Sequence, residues 1–232
     1  MKIPNFKLDN RKIAFLLIFS ILALISYQYN FSEIVGVVGM EGSPSFRYFQ
    51  FIGPIAGGVL GPVGGIISIV GMAILNFVLT SNFDLMFAVN IITMSAAAIY
   101  FSNKIERKYE WVIPIVAMIA FWAHPVGSIA WMYPLFWLIP ILATFYKQNI
   151  LVRSFGSTFT AHAIGSIAYL YAFNIPAADW ITLLGIVPIE RTAFALGIVL
   201  SYYAVNTVLA GVEAKFDFKF LDIEKKYSLI KA

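Results

Sequence analysis

Two histidines and one adjacent Glu-Arg pair carry most of the chemistry in an otherwise apolar chain. His162 lies near the middle of the uncharged run 155–173. An ionised side chain at that depth of a membrane would cost roughly 2–4 kcal/mol, so a neutral, hydrogen-bonded imidazole is expected. It could contact a ligand, or it could bond a neighbouring helix with help from Thr158, Thr160 and Ser166. His124 opens the sequence His124-Pro125-Val126-Gly127, where a helix must break and expose backbone groups that protein or a water-filled cavity has to satisfy. Ligand contact and simple capping of the turn both fit that position. Glu190 and Arg191 follow Pro188, which is expected in the first turn of the last span, where proline preorganises the helix and a carboxylate suits the dipole. Arg191 is placed to meet Glu41, Asp179 or an anionic substrate; snorkelling to the interface is the competing role.

Asn90 is the polar span residue best placed toward the outer side, although helix-to-helix hydrogen bonding accounts for many such groups. Trp131 and Trp180, with Trp122 and Tyr133, could stack on a flat ligand or form an interfacial belt. The candidate substrate-binding set is therefore His124, Trp131, His162, Glu190, Arg191, Asn90 and Trp180. Two histidines with no nearby carboxylate or thiolate make no metal site, and no cofactor is expected. No hydrolase, metalloprotease or phosphate-loop motif occurs, so the chain is not expected to be an enzyme or to hydrolyse nucleotides by itself. An intramembrane enzyme would need His162 and Glu190 to converge.

These residues must be positioned by membrane helices. The 232 residues are 60% apolar and 12% charged, against roughly 25% charged in a typical soluble domain. Such a composition predicts an all-α, polytopic bundle forming a single transmembrane domain over 1–232, multi-pass in the cell membrane. The chain contains no cysteine, which excludes disulfides and thiolate chemistry. A net charge of +4 bears on topology here and gives nucleic-acid binding no support. Apolar spans are expected at about 13–29, 46–60, 63–79, 85–101, 111–123, 127–146, 155–173 and 188–212. The basic flank and apolar run at the amino terminus read as a first span, because no small-residue cleavage pattern follows.

Two runs are too long for one crossing. Residues 46–80 divide at Gly61-Pro62, since proline disfavours helix at the residue before it. Residues 111–146 would reach about 54 Å as a single helix, against a hydrocarbon core of about 30 Å. If each run is a hairpin, both termini are cytoplasmic. Fourteen of the sixteen Lys and Arg residues then lie inside, leaving Arg47 and Arg191 outside. The count is eight crossings, or six if 111–146 only dips in and returns.

The glycines at 53–65, GPIAGGVLGPVGG, fall on the two arms of the first hairpin. Gly53, Gly57, Gly61, Pro62 and Gly65 are expected to serve close helix packing or partner docking. The stretch from Gly57 to Gly71, GGVLGPVGGIISIVG, resembles a phrase of the substrate-binding S components of energy-coupling-factor vitamin transporters, in which a Phe-Gly-Pro-Leu-Ala-Gly-like turn joins the second and third membrane helices. The next span, with Ser95-Ala96-Ala97-Ala98 and a basic exit at Lys104, Arg107 and Lys108, is similar to that family's fourth helix. The resemblance covers about residues 10–110. The chain departs from the family in an extra hairpin and in a first helix without the Ala-x-x-x-Ala docking pattern; a small-residue ladder at Ser157, Ala161 and Gly165 offers another docking face.

The resemblance implies uptake of a small organic solute, such as a vitamin or nucleobase-like compound, with ATPase and coupling subunits on other chains and the loop 30–47 as a lid. A membrane sensor or assembly protein without transport is the alternative.

Overall fold

The computed structural model describes residues 10–30, 47–213 and 221–230. Glu41 and all but the ends of the expected lid lie outside them. The described chain is helical. It comprises α1 (Asn10–Gln28), α2 (Phe49–Thr80), α3 (Leu85–Phe101), α4 (Arg107–Glu110), α5 (Val112–Ala123), α6 (Pro125–Ile129), a 3-10 turn (Tyr133–Trp137), α7 (Leu138–Ala143), α8 (Ile150–Ala172), α9 (Ala177–Glu213) and a last 3-10 turn (Lys225–Tyr227). By length and composition, α1, α2 and α9 can each cross a membrane. Their outward faces carry large apolar residues, among them Leu17, Ile18, Ile74, Val78, Leu200 and Val208, as a lipid-facing surface requires.

The run 49–80 folds back on itself. Gly61 takes φ 74° and ψ 175°, outside the helical region and open chiefly to glycine. Its reversal is visible eight residues apart. A Cβ on Gly65 would lie 2.8 Å from the Gly57 Cα, a separation that a continuous helix, rising about 1.5 Å per residue, cannot give. A Cβ on Gly57 would overlap the Ala98 carbonyl, so α3 lies against the same pair. Gly53 faces the Met94 side chain at 3.3 Å. Glycine here is a matter of space, because the two arms and α3 approach backbone to backbone.

The run 111–146 also returns toward its start. Trp111 Nε1–H donates to Thr144 Oγ1 at 3.1 Å, while at the opposite end Trp122 Nε1–H donates to the Trp131 carbonyl at 2.9 Å. The break falls at His124-Pro125. His124 has extended backbone and its Nδ1 accepts from Val126 N–H at 3.2 Å, capping α6. A Cβ on Gly127 would overlap the Phe121 carbonyl, so the turn folds onto the end of α5. Lys147 and Glu110, both buried, close the base at 2.5 Å, and Lys147 also donates to the Tyr100 carbonyl at 2.6 Å.

Helix α8 is the central member. It packs against α3, α9, α5 and α7. Asn149 caps it, accepting from Leu151 and Val152 N–H at 2.9 and 3.3 Å. Its buried face is rich in hydroxyls: Ser154, Ser157, Thr158, Thr160 and Ser166. Ser157 Oγ donates to the Ala97 carbonyl at 2.9 Å, and Ala161 is buried in the cluster with Met94 and Ala97. The small-residue ladder expected as an alternative docking face is thus occupied by α3.

The last helix departs from expectation. It starts at Ala177, so Pro188 lies within it and Glu190 and Arg191 stand well inside rather than in a first turn. Proline removes one N–H without ending the helix. Thr192 Oγ1 donates back to the Pro188 carbonyl at 2.7 Å, bracing that turn.

Candidate functional site

The buried polar side chains of α8 and α9 form a seam with the broken hairpin. His162 is its centre. Trp137 Nε1–H donates to His162 Nδ1 at 3.1 Å. An indole nitrogen is a donor only, so Nδ1 must present a lone pair. The ring is then neutral, since both nitrogens of an imidazolium are donors, and its proton sits on Nε2. Nε2–H points at the Tyr133 oxygen at 2.9 Å, which leaves the Tyr133 hydroxyl to donate to Ser166 Oγ at 3.3 Å. The order Trp137, His162, Tyr133, Ser166 is a directed chain, with Phe159 edge-on to the imidazole at 5.8 Å.

The hairpin positions this chain. Tyr133 and Trp137 fall at the two ends of the 3-10 turn, with Pro134 in its first turn. Both are buried, and both rings pack on Phe121 of α5, at 5.3 and 5.5 Å. Trp180, at the start of α9, closes the aromatic wall edge-on to Phe121 at 5.2 Å and Tyr133 at 4.8 Å. Its own Nε1–H is buried with no acceptor among the described residues. A buried donor without a partner costs about 1–3 kcal/mol, so the position favours an acceptor group.

One turn before His162 on α8, Thr158 Oγ1 accepts from Arg191 Nη1 at 3.3 Å. Arg191 Nη2 donates to Glu190 Oε2 at 2.8 Å, with side chains 5% and 14% exposed. Neighbours on a helix point about 100° apart, yet these two long side chains meet. The guanidinium also lies 4.3 Å from the Phe194 ring centroid. An ion pair in these apolar surroundings is costly unless further hydrogen bonds support it, and Thr158 supplies one.

The sequence-based set therefore divides. His162, Trp180, Glu190 and Arg191 line the seam, and His162 spends both ring nitrogens inside the protein. His124 is half-buried at the turn, capping α6 and edge-on to Tyr171 at 5.0 Å. Trp131 is 56% exposed. Asn90 is half-buried on α3, where its carbonyl accepts from Thr93 Oγ1 at 3.0 Å. The described contacts tie none of these last three to the seam. Trp137 was missed and Tyr133 underrated, because their pairing with His162 depends on 3-10 register that apolar periodicity does not report.

No family model, curated protein or solved structure matches this chain.

Proposed function

We propose that the chain is a membrane-embedded substrate-binding subunit for uptake of a small organic solute, working with separate ATPase and coupling subunits in the cell membrane. The observation that carries this reading is the seam itself. The ion pair Glu190–Arg191, the hydroxyl of Thr158 and an indole donor with no acceptor among the described residues lie within an apolar bundle, where ionisable residues mark substrate and ion paths. A vitamin or nucleobase-like compound suits it, since flat heterocycles offer an acceptor for Trp180 and a face for the aromatic wall.

Six to eight crossings with both termini cytoplasmic agree with the two returning hairpins and with the Lys and Arg distribution. The enzyme alternative asks His162 and Glu190 to meet; in the fold His162 serves Trp137 and Tyr133, while Glu190 serves Arg191.

Purified protein should carry a small molecule detectable by mass spectrometry, or gain thermal stability with one compound of a vitamin and nucleobase panel. Arg191→Gln should abolish the gain. A bound solute and a stability shift without co-purifying ATPase subunits, and without uptake in proteoliposomes containing them, would make the chain a sensor. No bound molecule and no shift across the panel would end the substrate-binding reading.

A further inference from the structure

The segment 221–230 lies on the bundle as a bound peptide lies in a groove. Its backbone is held at three places. Asp222 N–H donates to the Val59 carbonyl at 2.8 Å, a group deprived of its helical partner by the break at Gly61. The side-chain amide of Asn206, fully buried on α9, brackets Glu224: Nδ2–H donates to its carbonyl at 2.6 Å and Oδ1 accepts its N–H at 3.1 Å. Leu229 N–H donates to Thr207 Oγ1 at 2.9 Å.

Two acidic side chains fix the register. Asp222 pairs with Lys104, and Glu224 Oε1 lies 2.7 Å from Arg153 Nη1. Arg153 is buried among the rings of Phe101, Tyr202 and Tyr227, with its guanidinium carbon 4.7, 5.3 and 5.9 Å from their centroids.

The fit at Arg153 is incomplete. Its Nε and Nη2 are buried and find no acceptor among the described residues. A guanidinium offers Nε and Nη2 as a fork matched to both oxygens of one carboxylate. Glu224 instead meets Nη1, so the strongest recognition element of the groove is only partly used. The occupant is held by its backbone, by the Tyr202 hydroxyl donating to Glu224 Oε1 at 3.0 Å and by the buried side chains of Leu221 and Tyr227, and the guanidinium fork is the recognition element it leaves unused.

We propose that the groove formed by Val59, Asn206, Lys104 and Arg153 is a docking site for an extended acidic segment of a partner protein, and that 221–230 occupies it in cis. The partner segment carries two acidic residues at alternate positions, as Asp222 and Glu224 do, and presents its second carboxylate bidentately to Arg153. Its docking displaces the strap and leaves its chain against the Gly61 turn. The inference does not depend on solute binding.

The test uses the full chain and a fluorescent peptide of the sequence 221–230. In the Asp222→Asn/Glu224→Gln chain, whose own strap is weakened, the acidic peptide should bind at least tenfold more tightly than to the unaltered chain. The same peptide with Asn and Gln at the two acidic positions should lose that binding. Absence of binding to a folded double variant, or equal binding of acidic and neutral peptides, overturns the proposal.

Because the chain has no cysteine, Ile223→Cys in the otherwise unaltered chain gives an independent reading. Excess acidic peptide should raise maleimide labelling of that position at least threefold and neutral peptide should not. If the double variant does not fold, an unchanged labelling rate overturns the proposal by itself.

Discussion

At the scale of single residues, the seam separates groups that hold the fold from groups with capacity to spare. His162 belongs to the first kind, because Trp137 and Tyr133 take both ring nitrogens and fix the neutral tautomer. Arg191 and Glu190 pose a different problem. Removing one partner of a buried pair leaves an uncompensated charge, which costs about 3–5 kcal/mol, whereas removing both charges is often nearly neutral. Arg191→Gln should therefore lower the thermal unfolding temperature sharply in detergent, and Glu190→Gln/Arg191→Gln should recover most of the loss. Equal damage from the single and double variants would mean that Arg191 contributes through Thr158 and Phe194 rather than through its charge partner. Part of this was legible in sequence: Glu190, Arg191 and a mid-span histidine stand out against apolar surroundings. The burial of Glu190 and Arg191 and their pairing with each other were not expected, because both were placed in a first helical turn at the outer side. Their partners did not stand out, since hydroxyls and aromatics are common in membrane helices.

At the scale of elements, the recurring problem is the carbonyl orphaned where a helix breaks. Each break is met by a donor from elsewhere in the chain: Val59 by Asp222 N–H, Pro140 by the Tyr100 hydroxyl at 2.7 Å, and Trp131 by Trp122. Gly-Pro and His-Pro-Val-Gly announced where the two long runs turn, because proline and the approximate thickness of a bilayer together forbid a straight helix. The start of α9 was not legible in the same way. Asn174-Ile175-Pro176 and Pro188 both read as boundaries, and the turns between them are helical with Trp180 and Val187 buried in the core.

The glycines sort by the space around them. Gly57→Ala would drive a methyl into the Ala98 carbonyl and should prevent stable folding, as judged by loss of a monodisperse detergent peak. Among the described residues, nothing lies within 4 Å of the place a Gly185 Cβ would take. Gly185→Ala should be folded and more stable by about 0.5–1 kcal/mol, through helix propensity alone. A normally folded Gly57→Ala chain would contradict the close approach of the hairpin and α3.

At the scale of the whole molecule, the end bearing Gly61, Lys104, Glu110, Lys147 and Arg153 is more elaborately tied than charge counting implied. The charge count placed these basic residues on the inner side and assigned them no partners. Arg153 and Lys147 are in fact buried, each against a carboxylate, Arg153 among three aromatic rings and Lys147 over the Tyr100 ring. The carboxyl of Glu224 shows the balance. Burial alone would raise its pKa, but the Arg153 charge, with hydrogen bonds from Arg153 and Tyr202, outweighs burial and holds it below the ordinary value. A carboxyl depressed in the folded state contributes stability that is fully present above its unfolded pKa and is lost as pH falls through the folded one. Strap docking should thus be steady from neutral pH down to about 5 and weaken from about pH 4 downward. Hydrogen exchange of 221–230 would measure this directly, with protection falling in that acidic window. Asp222 also pairs with Lys104, so the control is Glu224→Gln. That variant should have weak strap protection already at pH 7 and a much flatter acidic profile. A Glu224→Gln chain that matched the unaltered one at every pH would show that Asn206 and the backbone contacts, and not the Arg153 ion pair, hold the strap in place.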